Sequence, residues 1–445
     1  MKKIILILLA GLLFSASANA QDSSPYCAKL DDAQTYKDNE SYRYLVVGEN
    51  DRIFRSRKDL KEDFTLTQET LEKFSKLNRI LKSQGKTLHI VMAPTRGVLN
   101  ANDMPSDSKW IDSFDVDNAR KTFTRSISSL KAIGLSVANL ATIPENIANN
   151  FYYKHDHHWT AKGAKFAAEK TARLITAIDK DLPHQVFKTE TKPEEINIEG
   201  SFALFIEDIC GTKIPDEKAP IIQTFAERQD DLFDGKPNAA VALIGTSNTT
   251  EPAPSYANFA GYMRELLQSD VENFSVQGAG IESPILSYFA ADNENKKQHR
   301  HLIWELASHY DFNGDEFSPV FAQAVPAAAG ACDGKEIFKT EQTIEGEKVG
   351  LPLDSAASPP VTKNNYVYIK FNKPTKKDFA LSIKFKDGTA ERFRFEREDR
   401  YPFDGVYFLD LDRYGEKEIS ALSLFFAKDF DAENFSFQSC AYPQI

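Results

Sequence analysis

The 445-residue sequence predicts an α/β domain built on a parallel sheet, followed by an all-β sandwich. Between residues 69 and 306, apolar runs of strand length alternate with stretches of helical periodicity. That alternation is the pattern of a parallel sheet with helices on both faces. Beyond a small-residue stretch, Ala324-Val325-Pro326-Ala327-Ala328-Ala329-Gly330, the apolar period drops to two. A third observation places chemistry in the first domain: the run Tyr152-Tyr153-Lys154-His155-Asp156-His157-His158-Trp159, and later Gly245-Thr246-Ser247 behind a strand pattern.

The chain opens with Lys2-Lys3, an apolar run from Ile4 to Phe14, and Ser15-Ala16-Ser17-Ala18-Asn19-Ala20. A basic start, a short apolar region and a small-x-small exit make residues 1–20 a cleavable signal peptide, with the mature chain starting at Gln21. An uncleaved anchor is the competing reading, but the run is short for a bilayer. No later run has spanning length, so the mature chain is expected to be soluble and exported.

Leu71, Phe74, Leu77 and Leu81 recur at helical spacing within 69–84, and Gly85 is a fitting stop. Thr87 to Met92 reads as a buried strand broken by Pro94. A helix over 116–132 stops at Gly134, and Leu135 to Leu140 reads as the next strand. Thr160 is placed to cap a helix over 161–178. Ala239 to Ile244 reads as a central strand, 258–268 as a helix, and Val271–Val276 and Leu302–Leu306 as strands.

Ala324–Gly330 reads as a linker between a domain over 21–325 and one over 332–445. In the second, Leu381, Ile383 and Phe385, then Asp387-Gly388, then Phe393 and Phe395 are a hairpin signal. Further strands are expected over 365–371, 405–411, 420–426 and 434–438, giving an antiparallel sandwich.

The four cysteines are Cys27, Cys210, Cys332 and Cys440. An even count in an exported chain favours disulfides, and their wide spacing excludes a zinc ribbon. Cys27–Cys210 and Cys332–Cys440 place one bridge in each domain. The formal charge is −11, or −13 once Lys2 and Lys3 are removed, which argues against non-specific nucleic-acid binding.

Ser247 would stand at the C-terminal end of a parallel strand, where open α/β sheets build their sites. Gly-x-Ser is common, and a serine capping the next turn is the plainer reading. A serine hydroxyl needs a base, and an imidazole suits that task. The imidazole needs a partner that fixes its tautomer, and Asp156, two residues before His158, can supply it. His155, Asp156, His157 and His158 are also dense in metal-ligand types, with His299 and His301 elsewhere. Their spacing lacks the helical pattern of zinc hydrolases, so no metal and no cofactor is expected. Spacing alone does not choose among the histidines. Trp159, expected to wall the pocket, and the following helix favour His158, leaving His155 and His157 exposed or in support.

The Asp156-x-His158-Trp159 run resembles the Asp-x-His-Trp motif of the periplasmic alginate O-acetyltransferase family, of AlgX and AlgJ type. Other stretches agree in order. Val47 to Phe54 resembles its glycine-rich, Phe-ending opening motif, Val91 to Gly97 its first strand-to-loop segment, and Gly245-Thr246-Ser247 with Asn258-Phe259-Ala260-Gly261 its nucleophile block. Trp304-Glu305-Leu306 resembles its late strand. Together these cover most of residues 45–310. The opening motif departs at Asn50-Asp51-Arg52, where an Asp-Gly-Trp type sequence is common.

The resemblance implies an SGNH-hydrolase-like α/β fold with permuted triad order, since Asp156 and His158 precede Ser247. It implies a carbohydrate-binding role for the sandwich, a membrane acetylation system as acetyl donor, and other polysaccharide secretion proteins as partners. The expected function is transfer of acetyl groups to an anionic polysaccharide, alginate (polymannuronate), through Ser247 as nucleophile, His158 as general base and Asp156 as its orienter. Ser247 N–H is the expected oxyanion donor. Arg96 and Asn258 are candidates for a second donor, against plainer readings as a surface ion pair and a helix cap. A secreted acetylesterase with the same triad and a non-catalytic scaffold are the alternatives.

Residues 363–400 carry eleven Lys or Arg and six acids, a balance of +5 in an acidic chain. Lys384, Lys386, Arg392 and Arg394 alternate with apolar residues, which puts them on one sheet face. That face suits a polyuronate, with Tyr401 or Tyr407 stacking on sugar rings. An ordinary solvated outer face is the equal alternative.

Overall fold

Five strands, Thr87–Ala93, Ser136–Val137, Val241–Ile244, Val271–Asn273 and His301–Ala307, pair in parallel. Their spatial order is Ser136–Val137, Thr87–Ala93, His301–Ala307, Val241–Ile244, Val271–Asn273, so the last in the chain is central. The computed structural model describes residues 25–443 except 106–113, 228–238, 279, 281, 291–293, 316, 333–335, 354–360, 363, 376–377 and 398–404. The predicted signal peptide and its cleavage before Gln21 lie outside the described residues. No described helix is long and apolar enough to cross a membrane.

Strand alternation sorts the sheet's side chains between two cores. Ile90, Met92, Trp304 and Leu306 meet Phe74, Phe123 and Phe321 on one face. Val91, Leu243 and Ile303 meet Ala164, Ala168 and Met263 on the other. Such two-sided burial is why these strands read as continuous apolar runs.

The helices Gln68–Ser83, Val116–Ala132, Ala161–Ile178 and Phe259–Leu267 stand where periodicity put them. Thr67, Asp115 and Thr160 cap the first three by accepting backbone N–H bonds. A long antiparallel ribbon, Phe187–Ile198 with Glu217–Ala226, and the helix Ser201–Cys210 were not expected. Most of the ribbon's residues are exposed or half-buried, and the apolar ones in Glu217–Ala226 do not alternate with period two.

The Ala324–Gly330 stretch is not a linker. Ala324 to Ala329 form the second half of the helix Ser318–Ala329, which is buried from Val320 to Ala328. It packs against Gln68–Ser83, Glu282–Ala290 and the sandwich strand Val406–Asp410. The small side chains permit that close approach on several sides, so composition here reports tight packing. Lys76 adds a polar tie between the two units, donating to Asp410 at 2.9 Å.

The C-terminal unit is two four-stranded antiparallel sheets. One runs Glu336–Thr343, Asn434–Ala441, Asn365–Phe371, Val406–Asp410; the other Lys348–Leu351, Ile419–Phe426, Phe379–Phe385, Ala390–Phe395. Their inner faces share one core rich in phenylalanine. Both disulfides pair as expected, Cys27 with Cys210 and Cys332 with Cys440.

Candidate active site

The histidine-rich run is a closed loop. Tyr152 and Trp159 form a β-bridge across it, and Thr160 N–H donates to Phe151 O at 2.8 Å. Trp159 is fully buried and stacks on Phe259 with ring centroids 5.3 Å apart. Its indole N–H donates to Asn248 O at 2.9 Å. Trp159 therefore fixes the histidine loop to the segment after Ser247, and does not wall the pocket as expected.

Within the loop, Asp156 Oδ1 accepts from His158 Nδ1 at 2.5 Å and from His158 N–H at 2.7 Å. His158 Nε2 lies 2.8 Å from Ser247 Oγ. The other oxygen of Asp156 accepts from Ser201 N–H at 2.8 Å, at the start of the helix Ser201–Cys210. That approach needs Gly200, because a Cβ there would lie 2.2 Å from His155 O. Burial works to raise the Asp156 carboxyl. The bond and charge of His158, with His157 and Ser201 N–H, outweigh it and hold the group well below the ordinary carboxylate range. A fixed carboxylate on Nδ1 leaves Nε2 to accept the serine proton.

Ser247 follows the strand Val241–Ile244, and a buried carboxylate sets its turn. Glu305, on the central strand, accepts from Thr246 N–H at 2.8 Å, Thr246 Oγ1 at 2.7 Å and Asn248 Nδ2 at 3.3 Å. Burial raises the Glu305 carboxyl although these bonds oppose it. Gly245 is required by proximity, since a Cβ there would meet Thr249 Oγ1 at 2.2 Å and Glu305 Cβ at 3.1 Å.

The site opens into a cavity of about 440 Å³ whose walls include Ser247, Asn248, Tyr42, Arg55, Arg96 and His309. Asp156, His157 and His158 each offer a ligand atom within 4.8 Å of the others. Yet both ring nitrogens of His158 and both oxygens of Asp156 already serve the hydrogen-bonded chain, so ion binding there would dismantle it. That donor set fits acyl transfer better than metal chemistry.

The profile of the SGNH hydrolase-like domain of acetyltransferase AlgX matches residues 45–308. The chain belongs to the AlgX family. The alginate biosynthesis protein AlgX of Pseudomonas aeruginosa is 28% identical over 378 residues, covering 83% of this chain and 77% of that one. The "Probable alginate O-acetylase AlgJ" of Pseudomonas fluorescens is 32% identical over 168 residues, 36% of this chain and 41% of that one. A solved structure of Pseudomonas aeruginosa AlgX superposes with a TM-score of 0.79 at 24% identity, over 94% of this chain and all of that one. The fold is thus SGNH-hydrolase-like, with a following β domain.

Several expected site residues of this AlgX-family chain sit elsewhere than foreseen. Asn258 precedes the helix Phe259–Leu267 with φ 57°, and its Nδ2 donates to Thr224 Oγ1 at 3.0 Å on the ribbon. It makes no side-chain cap either. Arg96 is not a surface ion pair; it is 1% exposed and lines the cavity. His155 is buried, with Nδ1 3.9 Å from the Glu217 carboxylate. His157 Nδ1 lies 2.7 Å from Ser201 Oγ, and burial beside His158 lowers it to about 3.

In the sandwich, Lys384, Lys386, Arg392 and Arg394 are exposed on one face, with Ile383, Phe385, Phe393 and Phe395 buried behind. Arg394 pairs with Asp378 and Glu396, and Lys386 with Glu418. Tyr407 cannot stack on a sugar: it is 1% exposed, and its hydroxyl donates to Thr375 O at 2.7 Å. Tyr401 lies outside the described residues. The sequence reading missed Glu305 and Ser201. An acid inside the apolar run Leu302–Leu306 was the available signal for Glu305.

Proposed function

We propose that this protein is a periplasmic O-acetyltransferase that acetylates hydroxyls of an anionic exopolysaccharide, alginate. The observation that carries this reading is the Asp156–His158–Ser247 chain of hydrogen bonds, with links of 2.5 Å and 2.8 Å, at the wall of a cavity. Family membership and the names of the relatives, alginate biosynthesis and alginate O-acetylation, support the substrate.

His158 Nε2 takes the Ser247 proton as Oγ attacks the carbonyl carbon of an acetyl ester. The proton passes to the departing alcohol, leaving acetyl-Ser247. A sugar hydroxyl then attacks the acetyl carbon, gives its proton to His158, and Ser247 Oγ leaves and recovers it. Asp156 holds the imidazole tautomer and offsets the imidazolium charge. Ser247 N–H stabilises the oxyanion. The sandwich binds polymer, and a membrane acetylation system supplies the acetyl group within a secretion assembly.

The test is intact-mass measurement after incubation with a small acetyl ester, with and without polymannuronate. An acetyl adduct on Ser247, absent in folded Ser247→Ala and discharged onto polymer, is expected. Release of free acetate alone would mark an esterase. An adduct that persists in Ser247→Ala would sink the assignment.

A further inference from the structure

Thr95, Arg96 and Ser308 are among the residues that line the cavity holding Ser247, and each carries one polar atom without a partner among the described residues: Thr95 Oγ1, Arg96 Nη2 and Ser308 Oγ. All three atoms are buried. Buried polar atoms are rarely left unmatched, and an unmatched guanidinium N–H is costly. Three such atoms on residues that line one cavity mark a place for a ligand with several acceptors.

Their surroundings define the charge. Arg55 holds both hydrogen-bonded oxygens of Asp59, through Nη2–Oδ1 at 2.9 Å and Nε–Oδ2 at 3.2 Å. Arg96 Nε stays 4.0 Å from that carboxylate. Arg96 Nη1 donates to Ile53 O at 3.1 Å and Lys154 O at 3.2 Å, both neutral. Its guanidinium lies over the rings of Tyr152 and Phe202, at 5.4 and 5.1 Å. The group is therefore rigidly held, keeps its charge, and has Nη2 to spare. Thr95 precedes the short helix Arg96–Asn100 but its hydroxyl caps nothing, so it too is available.

The sheet sets the spacing. Thr95 and Arg96 follow Thr87–Ala93, Ser308 follows the adjacent His301–Ala307, and Ser247 follows the next strand, Val241–Ile244. Two strand spacings separate Arg96's strand from Ser247's, about 10 Å. A sugar ring with its reacting hydroxyl at one side and a carboxylate at the other can bridge that distance between inward-reaching side chains.

We propose that Arg96, Thr95 and Ser308 form the acceptor subsite, with Arg96 binding the carboxylate of the uronate residue to be acetylated and the two hydroxyls binding its neighbouring oxygens. This rests on the acetyltransferase reading and adds a source of specificity: uronates are accepted because of their charge. Arginine suits planar carboxylates better than a lysine point charge.

The test compares a mannuronate oligosaccharide with its carboxyl-reduced counterpart as acceptors, using the full chain and a small acetyl ester. The native protein is expected to favour the uronate in kcat/KM by about 10- to 100-fold, the worth of one charged hydrogen-bonded contact. Arg96→Lys should cut that preference by about tenfold or more, mainly through KM. Thr95→Val and Ser308→Ala should raise the uronate KM as well, and they carry the test if Arg96→Lys does not fold. Equal use of the two acceptors by the native protein would overturn the subsite. So would an unchanged uronate KM in Thr95→Val and Ser308→Ala. Failure to form acetyl-Ser247 at all would remove the acetyltransferase reading itself, and the mass measurement separates that result from the other two.

Discussion

The Trp159 indole N–H donates to the Asn248 carbonyl at 2.9 Å, joining the loop that carries the histidine to the loop that carries the serine. The two loops are 89 residues apart in sequence. The 2.8 Å His158–Ser247 contact depends on both being held. Trp159→Phe should keep the stacking on Phe259 and lose this bond, leaving Asn248 O without its donor. The expected cost is about 1–2 kcal/mol of stability, with a fall in kcat larger than any change in KM. Unchanged kcat, with a lowered melting temperature alone, would show that the tie is structural only.

Asp156 collects three donors: His158 N–H, His158 Nδ1 and Ser201 N–H. Asparagine has one acceptor oxygen for these, so its amide NH₂ must face a donor. Asp156→Asn should therefore favour the wrong imidazole tautomer and disturb the loop. We expect kcat to fall on the order of 10³–10⁴-fold. Acetyl-Ser247 formation by mass, followed over time, measures it; a fall below about tenfold would mean that His158 does not depend on Asp156.

Local patterns carried the parts of this molecule that depend on local periodicity. Leu71, Phe74, Leu77 and Leu81 marked a helix, and Phe393 and Phe395 beside Asp387-Gly388 marked a hairpin, because their burial follows from spacing. Arg96 was misread because its partners, Ile53 O and Lys154 O, come from segments 43 and 58 residues away. Nothing beside Arg96 in sequence shows that burial. Asn258 stands in the helix-start position that its residue type suggests, but its amide turns to Thr224, 34 residues away on the ribbon. Ala324–Ala329 had the composition of a linker for a packing reason. The proposed triad was legible because Asp156 and His158 share one short loop and Ser247 follows a strand.

A buried histidine pair gives a pH dependence away from the cavity at Ser247. His89 Nδ1 lies 2.8 Å from Ser136 Oγ and Nε2 lies 3.1 Å from His301 Nδ1, while His301 Nε2 meets Asp179 at 2.9 Å. Burial, with His301 beside it, lowers His89 from 6.5 to about 3. Below 6.5 the unfolded chain takes up a proton that folded His89 refuses until about 3. The unfolded state then binds more protons, so the stability is full above that upper value and is lost as pH falls through the window. One such histidine contributes a slope of at most about 1.4 kcal/mol per pH unit. In His89→Gln, the melting temperature should decline less steeply from neutral pH to about pH 5 than in the native protein. Parallel declines would show that His89 does not contribute.

On the sandwich, the four predicted basic residues are not equivalent. Arg394 and Lys386 face Asp378, Glu396 and Glu418, which neutralise them locally. Lys384 has no ion-pair partner among the described residues, and Arg392 lies over the Phe425 ring at 4.1 Å. If this face holds a polyuronate, Lys384 and Arg392 provide most of the attraction. Lys384→Glu with Arg392→Glu should weaken polymannuronate binding by about twofold to thirtyfold, from roughly 0.2–1 kcal/mol for each exposed contact. The loss should shrink as salt screens the charges. It should exceed any loss in turnover of a small acetyl ester, because the face lies on a separate unit from Ser247. Equal loss of both activities, or binding that neither charge reversal nor salt alters, would return this face to an ordinary solvated surface.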